Sequence, residues 1–316
     1  MPRILITGVS GFTGRHLAAA LRAAGERDVV GSGTAAVTTA AVDRYLPCDL
    51  TDAALVPRVI ENLRPDVVYH LAGRTACTTP ERLREVNVEG FALLCDALRG
   101  MAERRGRPVR LFTVGSAAEL GAAGVARLPV DEDAPCEPET IYGRSKLEAT
   151  ERVLCEPVGG PLEIVAARTF NLVGPGMGPH LSLGRFARQI AAYARRETDG
   201  VRCGNLNGRR DFVDVRDAAA AYVEICRRGR PGRLYNVCSG RSYRIGDLLA
   251  RLIAASGLDV PVIHEADAHR PGDVADVYGD PARTLVELGW RATTPIDRSL
   301  TDLLTWVLRE PAARAA

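Results

Sequence analysis

The stretch that decides the predicted fold lies near the start of the chain and reads RILITGVSGFTG over residues 3–14. Its first half is an apolar run typical of a buried strand, and a helical pattern begins within its last residues. Gly8, Gly11 and Gly14 join the two at the spacing G-x-x-G-x-x-G. Glycines at such a turn let the backbone approach a pyrophosphate, whose negative charge is favoured at a helix N-terminus. We therefore predict a dinucleotide site here, and the alternative is an ordinary glycine-rich strand–helix turn.

Short apolar runs and helical patterns continue to alternate through the first half of the chain, and the rhythm loosens after Arg168. Repeated strand–helix units favour an α/β fold of the Rossmann type, a doubly wound parallel sheet with helices on both faces. We predict a dinucleotide-binding domain over residues 1–168, with return segments near 205–237, and a smaller C-terminal substrate-binding domain over 169–204 and 238–316. The predicted strands are 4–7, 28–31, 45–48, 66–71, 109–114, 162–168 and 233–237, and the predicted loops are 174–179 and 205–211. The first predicted helix follows the glycine turn and ends near residue 24. The other predicted helices are 52–63, 82–104, 138–155, 183–196, 217–227, 245–256, 281–288 and 299–309.

The bulk composition bears on the class of partner. The chain has 316 residues and a formal net charge of +2, with its basic residues spread along it rather than in runs. This argues against a nucleic-acid or membrane partner. No apolar stretch approaches the roughly 20 residues that span a bilayer, and the N-terminus has no leader pattern, so we expect a cytoplasmic protein. The eight cysteines form no C-x-x-C and the five histidines show no metal-binding spacing, so we expect reduced thiols and no metal site.

Lysine occurs once in this chain: of 41 lysine and arginine residues, only Lys146 is a lysine. Arginine and lysine differ in shape, donor geometry and pKa range, so a single lysine marks a position where arginine does not serve. Tyr142 lies four residues before it, which places both side chains on one face of a helix. A nearby ammonium lowers the pKa of a tyrosine from its usual value near ~10, which helps the phenol to exchange a proton with a carbonyl or alcohol oxygen. We predict that the two form a catalytic pair, and the alternative is a chance pairing of surface side chains.

A serine ends the predicted fifth strand, which reads FTVGS over residues 112–116. The carboxyl ends of the strands form the ligand-binding edge of a doubly wound sheet, so the Ser116 hydroxyl is expected beside Tyr142. We predict that it holds the substrate oxygen next to the phenol. The alternative is a strand-end serine that caps a turn.

The end of the second predicted strand bears on the choice of cofactor. NAD sites commonly carry an acidic residue there to hold the ribose hydroxyls, but this chain reads GSGT over residues 31–34. Asp28 stands at the start of that strand, which is the wrong end. Ser32 and Thr34 could donate hydrogen bonds to a 2′-phosphate. We therefore predict that NADP(H) is preferred and that NAD(H) is possible.

These motifs together resemble the extended short-chain dehydrogenase/reductase family, and the resemblance runs from Arg3 to about Leu308. In the second half it is carried by RTFNLVGPG at 168–176, RRDFVDVRD at 209–217, YNVCSG at 235–240 and RPGD at 270–273. The cofactor-binding residues that the resemblance implies are Gly8, Ser10, Gly11, Phe12, Thr13, Gly14, Ser32, Asp49, Leu50, Leu71, Ala72, Asn87, Tyr142 and Lys146.

Within the family, the motif GSAAELG at 115–121 is most similar to that of the GDP-4-keto-6-deoxy-D-mannose reductases. Leu120 stands where those proteins commonly have tyrosine. The related 4,6-dehydratases carry acidic groups directly after the serine or threonine, whereas Ala117 and Ala118 cannot move protons, and Glu119 lies one position out of register. Elimination of water is therefore disfavoured. The substrate-binding residues that the resemblance implies are Ser116, Asn171, Arg209 and Arg270, the last three on the diphosphate of an activated sugar.

The activity predicted from the resemblance is NAD(P)H-dependent reduction of the 4-keto group of a nucleotide-activated 6-deoxyhexose, with Ser116, Tyr142 and Lys146 as catalytic residues. A nucleotide-sugar 4-epimerase would use the same three residues and keep its NAD bound. A non-catalytic, cofactor-sensing regulator on the same fold is a further alternative, although such proteins usually lose the tyrosine or the lysine. The resemblance also implies a homodimer through the helices near 82–104 and 138–155.

Overall fold

A parallel sheet of seven strands forms the centre of the computed structural model, which describes residues 1–34, 41–75, 79–265 and 275–310. Shorter strands build three small sheets beside it. In chain order the strands are β1 (Arg3–Thr7), β2 (Asp28–Gly33), β3 (Arg44–Pro47), β4 (Val67–His70), β5 (Val109–Ser116), β6 (Leu162–Thr169), β7 (Asn171–Val173), β8 (Val201–Cys203), β9 (Arg209–Arg210), β10 (Phe212–Asp214), β11 (Leu234–Val237), β12 (Tyr243–Arg244), β13 (Val262–His264) and β14 (Asp276–Val277).

The strand order of the central sheet is β11-β6-β5-β4-β1-β2-β3, and each neighbouring pair is parallel. The order 3-2-1-4-5-6 is that of the Rossmann fold, with β11 added at the edge. The chain reverses direction across the sheet between β1 and β4, so a crevice opens at the carboxyl ends of these strands. The predicted α/β, Rossmann-type, doubly wound sheet is confirmed.

Helices cover both faces of this sheet, because its strands are apolar on both sides. One face packs against Leu17 and Tyr222, and the other against Ile60 and Leu94. Within the described ranges, no helix combines the length and apolar character needed to cross a membrane. The helices are α1 (Phe12–Ala23), α2 (Leu55–Leu63), α3 (Pro80–Arg84), α4 (Gly90–Arg105), α5 (Gly121–Gly124), α6 (Ile141–Leu154), α7 (Ser182–Ala194), α8 (Val215–Arg228), α9 (Ile245–Ser256), α10 (Ala282–Leu288) and α11 (Ile296–Arg309).

A third apolar cluster lies in the C-terminal half and is built by α7, α9 and α11, with Phe186, Leu248 and Leu303 among its buried residues. Residues of β11 and α8 instead belong to the core on one face of the sheet. The chain thus leaves the sheet after β6 and returns to it before β11. We therefore propose the division into a dinucleotide-binding domain over 1–168, with its return segment, and a smaller substrate-binding domain.

Two features of the chain differ from the predicted elements. The helix expected over 82–104 is α3 followed by a π-helical turn, Glu85–Glu89, and then α4. The polar stretch 205–211, expected as a loop, contains the two-residue strand β9 between β12 and β14. A strand of two residues is too short to show an alternating pattern, so its pairing comes from neighbours more than thirty residues away.

Candidate active site

The glycine loop forms a cradle whose shape excludes side chains. A Cβ on Gly8, which has φ +72°, would lie 2.6 Å from the amide nitrogen of Ala72. A Cβ on Gly14 would lie 2.4 Å from the Gly8 carbonyl oxygen. Gly11 is the N-cap of α1 and offers no side-chain cap to the helix. The first amides of α1 therefore keep their capacity to bind an anion, and the residues present fit a dinucleotide pyrophosphate.

The remaining residues predicted for the cofactor surround this cradle. Phe12 begins α1 and packs against the C-terminal cluster, and the His16 ring lies 2.8 Å from the Pro175 carbonyl oxygen. The amides of Leu71 and Ala72 donate to the backbone oxygen and hydroxyl of Thr7. Thr13 lies in the first turn of α1, Ser10 precedes that helix, and Asp49 and Leu50 follow β3 at the same edge of the sheet.

The end of β2 carries no acidic side chain in its described residues. Asp28 lies at the opposite end, where it pairs with Arg3 at 2.8 Å. Ser32 is buried, and its carbonyl accepts from the Gly8 amide at 2.8 Å. A Cβ on Gly33 would lie 3.1 Å from the Tyr45 hydroxyl oxygen and 3.4 Å from the oxygen of Ser10. The last residue of β2, which lies beside Ser10 of the glycine loop, is therefore a glycine and offers no carboxylate there.

Asn87 lies in the π-helical turn and supports the site from behind. Its amide oxygen accepts from the Arg74 amide at 2.8 Å, and its amide nitrogen donates to the Arg74 carbonyl and to the Ser145 hydroxyl, both at 3.0 Å. These bonds tie the segment after β4 to the helix that carries Tyr142. The extra residue of a π-helical turn re-aims a side chain, which explains why this helix is interrupted here.

The structure brings Ser116, Tyr142 and Lys146 together at the carboxyl end of β5. The Ser116 hydroxyl lies near enough to the Tyr142 phenol to act on its pKa. The Lys146 ammonium donates to the Val114 carbonyl at 2.9 Å. Tyr142 and Lys146 are both half-buried on the same side of α6. This arrangement places a phenol, a hydroxyl and an ammonium around one point above the sheet.

The expectation that Lys146 lowers the pKa of Tyr142 does not hold in this structure. Burial raises the pKa of Tyr142 to about 12, and the nearby Ser116 side chain opposes that rise. Burial likewise lowers the pKa of Lys146, whose ammonium is directed at a backbone carbonyl. Desolvation disfavours both the phenolate and the ammonium, because both groups are buried on the same helix face. Tyr142 therefore carries its proton at neutral pH and is suited to donate it.

Gly143 explains how α6 reaches the end of β5. A Cβ at this position would lie 2.2 Å from the Ala118 carbonyl oxygen and 2.9 Å from the Cβ of Pro138. The helix therefore packs with its backbone directly on the turn after Ser116. Thr140 caps α6 by accepting from the Gly143 amide at 2.9 Å. This close approach sets the distance between Tyr142 and Ser116.

Replacement of Gly143 by alanine is expected to lower kcat by about 10- to 100-fold, because the helix must move away from the turn and misplaces the phenol. The measurement is steady-state kinetics beside a thermal unfolding curve. An alanine variant with wild-type kcat would show that the contact between α6 and the turn is not needed for catalysis.

Glu119, the acid nearest Ser116 in sequence, is turned away from the cleft and fully buried. Its carboxylate pairs with Arg168 at 3.3 Å and accepts from the Ser116 amide and the Thr150 hydroxyl. Neither Ala117 nor Ala118 has a side chain that can donate or accept a proton. The turn after Ser116 therefore presents no acid of its own to a substrate. The burial of Glu119 was not predicted, because its partner lies 49 residues further along the chain.

The residues predicted for the substrate lie on the C-terminal side of the cleft or outside the described residues. Asn171 begins β7, is exposed, and donates to the Asp211 carbonyl at 3.0 Å. The Arg209 guanidinium donates to the Ser242 hydroxyl at 2.8 Å and borders an open cavity of about 720 Å³ that Ser116 and Tyr142 do not line. Arg270 falls in 266–274, outside the described residues.

Strand β9 shows a candidate that the sequence reasoning missed. Consecutive side chains of a strand point to opposite faces, so Arg210 faces the side opposite to Arg209. Its partner in β14 is Val277, which packs in a buried cluster with Leu120 next to the catalytic turn. No local signal in the sequence pointed to Arg210, because its strand partner Val277 lies 67 residues further along the chain. Among the described residues, no group of three or more histidine, cysteine or acidic side chains is arranged to hold a metal ion.

Comparison with known proteins agrees with this geometry. Residues 4–238 match the NAD dependent epimerase/dehydratase family. The GDP-6-deoxy-D-mannose reductase of Pseudomonas aeruginosa is 30% identical over 308 residues, which covers 96% of both chains. The UDP-glucose 4-epimerase of Neisseria meningitidis serogroup B is 26% identical over 345 residues and 98% of both chains. The structure of RMD from Pseudomonas aeruginosa complexed with NADPH has a TM-score of 0.80 and 28% identity, covering 98% of this chain and 99% of that one. The family resemblance predicted from the motifs is confirmed, and this chain belongs to the NAD dependent epimerase/dehydratase family.

Proposed function

We propose that this protein reduces the 4-keto group of a nucleotide-activated 6-deoxyhexose, of the GDP-4-keto-6-deoxymannose type, with NADPH as the preferred reductant. The observation that carries the proposal is the placement of the Ser116 hydroxyl near the Tyr142 phenol and the Lys146 ammonium, at a turn that presents no acid. Burial raises the pKa of Tyr142 to about 12, which further favours the protonated phenol at neutral pH. A protonated phenol serves reduction of a ketone directly, whereas oxidation of an alcohol needs the phenolate.

In the proposed mechanism the glycine loop, Tyr142 and Lys146 hold the dinucleotide. The reduced nicotinamide, when bound, supplies the hydride that reaches the carbonyl carbon. Ser116 donates a hydrogen bond to the carbonyl oxygen and keeps it beside the phenol. Tyr142 gives its proton to that oxygen, so the ketone becomes an alcohol and the phenol a phenolate. Lys146 stabilises the phenolate by its charge until a proton returns from solvent.

The preference for NADPH is supported by the glycine at the end of β2. An acid at Gly33 would stand against a 2′-phosphate, and the side chains nearest to this position are the hydroxyls of Ser10 and Tyr45. Like charges in contact disfavour binding, so the absence of an acid among the described residues at the carboxyl end of β2 leaves a phosphate unopposed. A Pseudomonas aeruginosa structure with the same fold contains NADPH. A KM for NADH about tenfold below that for NADPH would contradict this preference.

Replacement of Gly33 by aspartate is expected to change the preferred cofactor. The backbone conformation suits a side chain, since φ of Gly33 does not lie in the left-handed region, and the Tyr45 hydroxyl at 3.1 Å must shift by a few tenths of an ångström to admit it. The ratio of kcat/KM for NADPH to that for NADH should fall by about tenfold or more, because the new carboxylate repels a 2′-phosphate and can hold ribose hydroxyls. Gly33→Asn is the matched control for size without charge. An unchanged ratio in Gly33→Asp would place the 2′-phosphate elsewhere.

The substrate side of the proposal assigns the sugar diphosphate to Asn171, Arg209 and Arg270, with Arg210 as a neighbouring cation. Guanidinium groups bind a diphosphate through paired N–H donors. We also propose a homodimer through α3, α4 and α6, which lie on one face of the sheet. The Arg84–Glu148 ion pair at 2.7 Å links α3 to α6. Analytical ultracentrifugation tests it, and a monomer at assay concentration would contradict it.

The rival activity is that of a nucleotide-sugar 4-epimerase, which the Neisseria meningitidis relative favours. The deciding test follows the absorbance of reduced nicotinamide with enzyme, NADPH and GDP-4-keto-6-deoxymannose made in situ by a dehydratase. A second reaction uses dTDP-4-keto-6-deoxyglucose. Stoichiometric oxidation of NADPH with one of them supports the reductase and identifies the nucleotide. No oxidation with either, together with co-purified NAD and interconversion of sugar isomers, would establish the epimerase instead.

A further inference from the structure

A buried carboxylate lies beneath the proposed catalytic residues without facing the cleft. Glu119 has no exposed surface, and each of its oxygens has a donor. One oxygen accepts from the Ser116 amide at 2.7 Å and from the Thr150 hydroxyl at 3.0 Å, and the other lies 3.3 Å from Nε of Arg168. A carboxylate is rarely buried unless its bonds and charge are satisfied. Glu119 contacts β5, α6 and β6, and these contacts need an explanation beyond packing.

The partners of Glu119 are the elements that carry the active site. Ser116 is the last residue of β5, and its backbone amide is held directly. Thr150 lies in α6, one turn after Lys146 and two turns after Tyr142, so its side chain is on the same helix face. The carboxylate thus bridges the strand end that bears the serine to the helix that bears the tyrosine and the lysine.

The turn itself is built around this side chain. Ser116 and Glu119 form a capping box, in which each side chain accepts from the backbone of the turn. A Cβ on Gly115 would lie 2.5 Å from the Glu119 carboxylate and 2.8 Å from the Thr150 hydroxyl. Gly115 therefore makes room for the bridge from below, as Gly143 does from the helix side.

The charge of Glu119 also acts on the pair above it. Its carboxylate raises the pKa of Tyr142, in the same direction as the larger effect of burial. It also raises the pKa of Lys146, which opposes the larger, lowering effect of burial. Burial also raises the pKa of Glu119 itself, and Arg168 with the two hydrogen-bond donors opposes that rise. In the described part of the chain, the other titratable or charged groups that face these residues are His70 on β4, Tyr222 on α8, Arg168 on β6 and, next to Arg168, Cys136. Arg168 also donates to the backbone carbonyl of Glu132.

We infer that Glu119 is a positioning residue of the active site: its carboxylate fixes the end of β5 against α6, holds the Ser116 hydroxyl beside Tyr142, and adds a negative charge beneath the Tyr142–Lys146 pair. The inference rests on the proposed function for the catalytic roles of those residues. Arg168 is the counter-ion that lets this charge exist in the interior.

The test exploits the single lysine of the chain. Growth on lysine labelled with carbon-13 at Cε gives one side-chain signal, because Lys146 is the only lysine. Its pH titration reports the pKa of Lys146 without any substrate. In Glu119→Gln this pKa is expected to fall, since the negative charge that favours the ammonium is removed. Glu119→Gln leaves the charge of Arg168 buried without its counter-ion, which could prevent folding. The double variant Glu119→Gln with Arg168→Gln removes both buried charges and provides a second protein for the measurement.

Kinetics provide the second readout. In Glu119→Gln and in the double variant, kcat for keto-sugar reduction is expected to fall by about 10- to 100-fold, because the hydroxyl and the phenol lose their fixed spacing. The alkaline limb of kcat/KM should move to lower pH, since loss of the charge lowers the pKa of Tyr142 and reduction needs the protonated phenol. Glu132→Gln is the matched control: Glu132 is also a buried glutamate, paired with Arg283 at 3.4 Å, and is expected to behave as wild type.

The outcomes separate this inference from the proposed function. A lower pKa of Lys146 in the Glu119 variants, with an unchanged Glu132→Gln, supports the inference. An unchanged titration and an unchanged kcat in both Glu119 variants would overturn it, whatever the substrate is. A wild-type enzyme that reduces neither keto sugar overturns the proposed function, and the lysine titration then still decides the role of Glu119.

Discussion

Replacement of Tyr142 by phenylalanine is expected to lower kcat for keto-sugar reduction by about 10²- to 10⁴-fold, which is the contribution of a positioned general acid. The substitution keeps the half-buried ring on α6 and removes only the hydroxyl that lies near Ser116. The carbonyl oxygen then gains negative charge without a proton donor at hand. Stopped-flow or steady-state absorbance of reduced nicotinamide measures the effect, and calorimetry measures the affinity for NADPH.

The loss should appear in kcat and leave the Kd for NADPH within about threefold, since the glycine loop and Lys146 remain in place. Tyr193→Phe is the matched control, because Tyr193 packs against the C-terminal cluster on α7. That variant is expected to match wild type. A Tyr142→Phe enzyme that retains more than about a tenth of the wild-type kcat would remove Tyr142 from the mechanism.

Replacement of Gly14 by alanine is expected to raise the Kd for NADPH by about 10- to 100-fold. Replacing a glycine inside a helix by alanine ordinarily stabilises the helix by up to about 1 kcal/mol. Here the new Cβ would lie 2.4 Å from the Gly8 carbonyl oxygen and 2.7 Å from Cα of Val9, so α1 and the glycine loop must separate. Overpacking of this kind costs about 1–3 kcal/mol, and the strain falls on the conformation that binds the pyrophosphate.

Gly100→Ala is the control for the same change in another helix. Gly100 lies inside α4, and its new Cβ would meet only the end of the Arg104 side chain, at 3.3 Å. We expect a gain of about 0.5–1 kcal/mol in the free energy of unfolding and an unchanged Kd for NADPH. Equal Kd values for wild type and Gly14→Ala would show that the cradle does not hold the cofactor.

The central sheet could be predicted from the sequence because its strands are apolar on both faces and alternate with amphipathic helices. The strands β1, β4, β5, β6 and β11 lie where the pattern placed them, within two residues at either end. The small sheets could not be predicted, because β9, β12 and β14 have two residues each and are held by pairing between distant segments. The π-helical turn at Glu85–Glu89 was also missed, since its sequence pattern is that of a continuous helix.

The candidate site was predictable where chemistry and spacing are local. Tyr142 and Lys146 share a helix, and Ser116 ends a strand, so the topology alone brings them together. Their pKa values were not predictable, because the sequence shows the neighbouring charge but not the burial that outweighs it. The role of Glu119 depends on Arg168 and Thr150, which lie 49 and 31 residues away and reach it only through the fold.

The central claim is that hydride and proton add across a sugar ketone in one net reduction, and isotopic transfer tests it most directly. NADPH carrying deuterium at the transferred position of C4 is incubated with the keto sugar that the wild-type enzyme turns over, and the product is examined by mass spectrometry and NMR. The account predicts one deuterium on C4 of the product alcohol, one oxidised cofactor per alcohol, and loss of both in Tyr142→Phe. Sugar isomers without deuterium and without oxidised cofactor would contradict it.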